Sequence, residues 1–114
     1  MEKRLWLNLA KSIILYSFYF TEIAENEIDE AFDYISNNLC NLSAARKLYK
    51  KLINTINRII ENPLIYEDCS DYFVWDENIR RAIVNNFILV YEIDHESKSI
   101  RILRFIYYRR RIDI

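Results

Sequence analysis

The hydrophobic pattern of the first sixty residues predicts a strand followed by a helix. The β-branched and aromatic run from Ile13 to Phe20 is typical of a buried strand. Thr21 follows it and is a suitable N-cap, and Asn37-Asn38 marks the expected end of the helix that it opens. The apolar residues that follow Thr21 recur at helical spacing, so they should form the buried stripe of this helix: Ala24, Ile28, Ala31, Phe32, Ile35 and Leu39.

A second helix is predicted to begin at Asn41 or Ser43 and to end before Pro63. Proline cannot continue a helix, and it pushes Asn62 out of the helical region of backbone space. Because only a few residues link the two helices, we expect them to lie antiparallel to each other. The stripe of the second helix consists of Ala45, Leu48, Leu52, Ile56, Ile59 and Ile60.

Beyond Tyr66 the pattern indicates short strands. Asn85-Asn86 predicts a tight turn, because Asn tolerates the positive φ that hairpin turns require. The order of strand, two helices and antiparallel meander predicts an α+β fold in which the helix hairpin covers one face of a twisted sheet. The four predicted strands of the meander are Tyr72–Trp75, Ile79–Val84, Phe87–Ile93 and Ile100–Tyr107.

Alternation along the last strand predicts which side chains share a face. It places Phe105 with Arg101, Leu103 and Tyr107, and on the other side Ile100, Ile102, Arg104 and Ile106. Neither side is plainly polar. We therefore expect the face that the helices leave uncovered to be semi-apolar and suited to a partner.

Length and composition indicate one globular domain, 1–114, of a cytoplasmic protein. The 114 residues are 52% hydrophobic and contain no glycine and one proline. The apolar start of the chain is interrupted at Asn8 and Lys11 and is too short to cross a bilayer, so we expect neither a signal peptide nor a membrane anchor. Cys40 and Cys69 are read as reduced thiols without metal-ligand spacing. No metal or other cofactor is expected.

The net charge of −1 and pI of about 5.9 argue against a protein that coats nucleic acid through bulk charge. The net charge conceals an uneven distribution of charge along the chain. The first helix carries acids and no basic residue, and the second carries cations on its outer face. Such opposite charges favour side-by-side packing, although each exposed pair is worth little. The tail from Ile100 to Ile114 holds five arginines against the single acid Asp113.

Residues 78–94 resemble the RelE/ParE toxin pattern, in which an arginine opens a strand, an Asn turn follows and an aromatic leads into an apolar run that ends in Tyr. Residues 102–112 look like the closing strand of that family, and the front half is similar too. The resemblance covers roughly residues 13–112 and leaves 1–12 as an N-terminal extension. It implies a type II toxin that inhibits growth and binds a cognate antitoxin. The expected assembly is either a homodimer of the toxin or a toxin–antitoxin hetero-oligomer.

The resemblance also implies site residues. Arg80 and Arg110 match family positions linked to activity. In RNA-cleaving relatives such arginines hold the scissile phosphate and stabilise the charge that develops when a 2′-hydroxyl attacks. Tyr107 is a candidate acid or positioning group, although a tyrosine on a half-buried strand more often serves packing. The triplet Arg109-Arg110-Arg111 can equally be a solvated tail. The candidates for nucleic-acid or target binding are Arg81, Arg104, Tyr108, Arg109 and Arg111.

Three functions remain open. The first, which is the main prediction, is RelE-like ribosome-dependent cleavage of mRNA, which makes the ribosome and message the targets. The basic residues that RNA-cleaving members carry after the second helix are missing here, and acids such as Glu67 and Asp68 stand in that region. The second is a ParE-like poison of DNA gyrase, which needs no catalytic base. The third is an inactive relative that only binds antitoxin, which the departures at Tyr108 and Arg111 from the family's Gly and Asp would fit.

Overall fold

The computed structural model describes residues 16–68 and 78–108. The predicted strand Tyr72–Trp75, the N-terminal extension, Cys69 and the arginines from Arg109 to Arg111 lie outside this range. Two helices are described, α1 (Glu22–Asp33) and α2 (Leu42–Glu61). The strands are β1 (Ser17–Phe20), β2 (Glu67–Asp68), β3 (Ile79–Val84), β4 (Phe87–Asp94) and β5 (Ser99–Tyr107).

The described strands form one sheet in the order β1-β5-β4-β3-β2. β1 pairs in parallel with β5, with Ser17 opposite Ser99, and the other pairs are antiparallel. The two helices connect β1 to β2. Because β1 pairs with β5, the first strand lies in the same sheet as the strands of the meander. The predicted α+β architecture is confirmed.

Helix α1 begins where the sequence predicts. The Thr21 hydroxyl accepts a hydrogen bond from the amide of Ala24 at 3.1 Å, and it donates to the carbonyl of Leu103 at 3.0 Å. One side chain therefore caps the helix and fixes it to β5. The α-helical hydrogen bonds end at Asp33, and a π-helical turn, Tyr34–Asn38, continues the segment to the predicted Asn37-Asn38 end.

Helix α2 is capped by Asn41, whose side-chain oxygen accepts from the amide of Ala44 at 3.0 Å, and Ser43 lies inside the helix. The helix ends at Glu61, and Pro63 opens a short 3-10 turn. All six residues of its predicted stripe are buried. Helices α1 and α2 contact each other, and the two described ion pairs, Arg101–Glu92 and Arg104–Glu27, do not join them. Their contact includes the rings of Phe32 and Tyr49, 6.3 Å apart.

The core lies between the helices and one face of the sheet. Tyr91 is completely buried there, and its hydroxyl donates to the carbonyl of Pro63 at 2.8 Å, so the end of α2 is joined to the middle of β4. This hydrogen bond satisfies the Tyr91 hydroxyl, which would destabilise the fold if it were buried without a partner. The other large, fully buried side chains are Phe20, Phe105, Leu48, Leu52, Ile56, Ile59, Ile60, Leu89, Ile100 and Ile102.

The prediction for the faces of β5 is wrong beyond Ile102, because the strand contains an irregularity. Tyr91 pairs with Ile102, whereas its neighbour Val90 pairs with Arg104, so β5 has one extra residue at this point. As a result Phe105 joins Ile100 and Ile102 in the core and is only 2% exposed.

The turn and the uncovered face of the sheet agree with the sequence. Asn85 has a φ of 56°, and Val84 pairs with Phe87 across the turn, as a two-residue hairpin requires. On the uncovered face, Ile79 and Val90 form a small buried cluster, while Ile83 is 60% exposed. This face is semi-apolar, as expected.

Candidate functional site

Arg80 lies on the helix-covered face of the sheet. It stands opposite the buried Tyr91, and its Nη1 donates to the carbonyl of Tyr66 at 2.9 Å. Its Nε is buried and, among the described residues, has no hydrogen-bond partner. The guanidinium therefore joins β3 to the segment that follows α2 instead of lying on the open surface. Arg81 alternates with it and lies on the uncovered face, opposite Val90.

Tyr107 and Tyr108 lie at the far end of the sheet from Arg80. Tyr107 stands opposite Phe87, whereas Arg80 stands opposite Tyr91, four residues along β4, which is about 13 Å. Tyr107 is 60% exposed, and its ring contacts Phe87 edge-on at 5.6 Å. The structure does not bring Arg80 and Tyr107 together. Since Arg110 lies outside the described residues, the meeting of Arg80 with Arg110 and the catalytic roles of all three stay predictions.

Arg104 is held by Glu27 of α1. The Arg104 Nε lies 3.1 and 3.2 Å from the two carboxylate oxygens, and its Nη2 lies 2.6 Å from one of them. The Glu27 carboxylate also accepts the amide of Phe105 at 2.7 Å. Burial raises the pKa of Glu27, but the hydrogen bonds from Arg104 and Phe105 outweigh it and lower this pKa overall. The hydrogen bond to Glu27 raises the pKa of Arg104 against the opposing effect of burial.

The Glu27 carboxylate accepts a backbone hydrogen bond from β5 that a neighbouring strand would otherwise accept. β1 covers the edge of β5 only as far as Ile102, which pairs with Phe20. Beyond that point the Phe105 amide faces α1, and Glu27 accepts its hydrogen. An edge amide left unpaired would be a site for strand addition. Glu27 could not be singled out from the sequence, because it is one of six acids on α1 and its partner Arg104 is 77 residues away.

We predict that Glu27→Gln lowers the free energy of unfolding by about 1–2 kcal/mol at neutral pH. The lowered pKa means that the carboxylate stabilises the fold above its ordinary pKa of 4.5 and that this contribution is lost as the pH falls through the folded-state value. Urea unfolding of both proteins should therefore show a gap that narrows as the pH falls below about 4.5. The control is Glu30→Gln, at an exposed position on the same helix. An equal loss in the control would contradict the assignment.

A groove of about 780 Å³ opens beside this ion pair, between the helix hairpin and the ends of β4 and β5. Its rim includes the acids Glu27 and Glu30. Its wall is mainly apolar, and several of its side chains are strongly exposed for their type, such as Tyr34 at 53% and Leu39 at 54%. The lining also includes Ala31, Ile35, Leu48, Phe87, Phe105, Ile106 and Tyr107. We call it the apolar groove.

The opposite end of the sheet is polar. The hydroxyl of Tyr16 lies 3.2 Å from Nδ1 of His95, in the turn that connects β4 and β5. The Asp94 carboxylate accepts hydrogen bonds from the amides of Ser97 and Glu96 within this turn, and these bonds lower the pKa of Asp94. Within residues 16–68 and 78–108, no group of His, Cys, Asp and Glu is arranged to hold a metal ion. In the same range, neither helix has the length and hydropathy of a membrane-spanning segment.

The fold is the one expected of a toxin of the RelE/ParE superfamily, and the comparisons with known proteins show the family. Residues 18–112 match the family model described as the ParE toxin of the type II toxin–antitoxin system parDE. Because this match spans most of the sequence, the chain belongs to the ParE toxin family. It is therefore the toxin of a ParDE-type module, and an antitoxin is its partner.

A solved structure supports the fold. The chain is similar to a chain from the chromosomal ParDE toxin–antitoxin system of P. aeruginosa, with a TM-score of 0.65 and 16% sequence identity. The alignment covers 83% of this chain and 98% of that one. At such low identity the similarity shows the shared fold alone. No curated protein sequence matches the chain.

Proposed function

We propose that this toxin inhibits growth by binding DNA gyrase in the cytoplasm, without catalysing a reaction. The placement of Arg80 carries the proposal. Cleavage of RNA would require this arginine to hold a phosphate, yet it is half-buried on the helix-covered face and donates to the carbonyl of Tyr66. Membership of the ParE family favours the same mechanism over the RelE-like cleavage that the sequence first suggested.

The arginines of β5 that the structure describes support this proposal. Arg101 donates from Nε and Nη2 to Glu92, and Arg104 is bound to Glu27. A guanidinium that is already paired must lose this partner before it can bind a phosphate, which costs part of the binding free energy. A protein that acts by binding has no need of a free guanidinium beside a general base.

The test is to add the purified toxin to gyrase and, in parallel, to a cell-free translation reaction. We expect it to block supercoiling of relaxed plasmid while full-length message remains. Unaffected supercoiling together with cut message would overturn the proposal in favour of ribosome-dependent cleavage. Unaffected supercoiling with intact message would instead support an inactive relative that binds only antitoxin.

The variant Arg80→Met tests, in the same assays, whether the Arg80 guanidinium is needed for activity. Methionine fills a similar volume, and replacing a poorly paired buried cation by an apolar side chain is often close to neutral for stability. We therefore expect Arg80→Met to unfold within about 1 kcal/mol of the wild type and to keep its inhibition of gyrase within a few-fold. A folded Arg80→Met protein that has lost its activity would show that the guanidinium itself acts on the target.

We further propose that the apolar groove receives a segment of the antitoxin. The groove combines an apolar wall with the acids Glu27 and Glu30, so its chemistry matches an apolar segment that carries basic residues. Its volume of about 780 Å³ accommodates several side chains. Burial of Leu39 and Tyr107, both more than half exposed in the free toxin, would supply the hydrophobic part of the affinity.

A further inference from the structure

The outer face of α2 carries five cations, Arg46, Lys47, Lys50, Lys51 and Arg58, all of them exposed. We call them the basic row. At 3.6 residues per turn they fall within an arc of about 140° and extend for about 18 Å along the helix axis. The buried stripe of α2 occupies the opposite side, so the basic row faces away from the core.

The charge of the basic row is not neutralised by its surroundings. In the part of the chain that the structure describes, none of the five side chains takes part in an ion pair or a hydrogen bond. No acid occurs between Asn41 and Ile60, and no described ion pair connects α2 with the acidic helix α1. The surface is therefore locally positive although the whole chain has a net charge of −1.

The side chains between these cations identify the chemistry of the partner. Between Ser43 and Arg58 the arc contains only Ser43, Asn54 and Asn57 besides the basic row, and no apolar residue. Protein interfaces are depleted in lysine and anchored by aromatic residues, and a membrane-bound helix needs an apolar face for the lipid. Cations interspersed with amides and hydroxyls are instead the groups that contact nucleic-acid phosphates.

The form of the nucleic acid follows from the position of the nearest aromatic residue. Single strands are bound by stacking their bases on exposed aromatic rings. Tyr49, which is 44% exposed, lies about 60° outside the arc, and its ring packs edge-on against Phe32. A straight row of charge without a stacking platform suits the regularly spaced phosphates of a duplex.

We propose that the basic row of α2 binds the sugar–phosphate backbone of duplex DNA without reading the bases. The proposal goes beyond the inhibition of gyrase and does not depend on it, because it concerns naked DNA. It also assigns the outer face of α2 to a different ligand from the antitoxin segment proposed for the apolar groove.

The experiment measures binding of a short fluorescent duplex to the purified toxin by anisotropy, between about 50 and 200 mM salt. We expect affinity to fall steeply with salt and to be the same for two unrelated duplex sequences. Lys47→Gln/Lys50→Gln removes two phosphate contacts from exposed positions. It should weaken binding roughly tenfold and reduce the salt slope by about 2.

The matched control is Lys98→Gln/Arg101→Gln, which removes the same charge from β5 and the loop before it. We expect this control to bind DNA like the wild type. Equal weakening in both double variants would overturn the proposal, since it would show an effect of net charge alone. Tighter binding to a single strand than to the duplex, or no binding at the lowest salt concentration, would also overturn it.

Discussion

Phe105→Ala should lower the free energy of unfolding by about 3–5 kcal/mol, a large part of the stability of a domain of this size. Phe105 is 2% exposed, and its ring stacks on Phe87 with centroids 4.6 Å apart and an interplanar angle of 5°. Truncation removes this contact and leaves a cavity beside the extra residue of β5. Urea unfolding followed by circular dichroism measures the loss.

The control for this prediction is Ile106→Ala, at the next position of the same strand. Ile106 is 37% exposed, so its truncation should cost less than about 1.5 kcal/mol. This pair also tests the register of β5, because strict alternation from Ile100 would place Ile106 in the core and Phe105 outside. If Ile106→Ala proved the more damaging change, the observed register would be wrong.

Local signals were sufficient for most of the fold. Thr21 and Asn41 cap their helices as expected because capping depends on a side chain and an amide three residues away. The turn at Asn85 is equally local. Phe105 was assigned to the wrong face because the irregularity in β5 depends on its pairing with β4, and no composition signal marks it.

The candidate site was harder to predict because its contacts join distant parts of the chain. Arg80 alternates with Arg81 in the sequence, and either could have faced the helices. Which of the two arginines faces the helices depends on the register of β3 with β4, in which Arg80 stands opposite the buried Tyr91. Glu27 likewise accepts the amide of Phe105 because β1 ends early and leaves this amide of β5 without a strand partner. Neither the register of β3 with β4 nor the early end of β1 can be predicted from neighbouring residues in the sequence.

The second large effect is expected for Leu39→Lys, in the apolar groove, on binding of the cognate antitoxin. Leu39 is 54% exposed in the free toxin, so the substitution should leave the fold intact. In the complex the new ammonium group would be buried against an apolar segment with basic neighbours, and the loss of affinity should be roughly a hundredfold. Titration calorimetry with the antitoxin measures this loss directly.

Leu64→Lys is the matched control, because Leu64 is also 54% exposed but does not line the apolar groove. It should bind the antitoxin like the wild type, and co-expressed antitoxin should still neutralise it. Cells that produce Leu39→Lys should stay arrested in the presence of the same antitoxin. If both variants bound the antitoxin like the wild type, the antitoxin would bind elsewhere. The semi-apolar face around Ile83 would then be the surface to test, because among the described residues it is another exposed apolar area of the sheet.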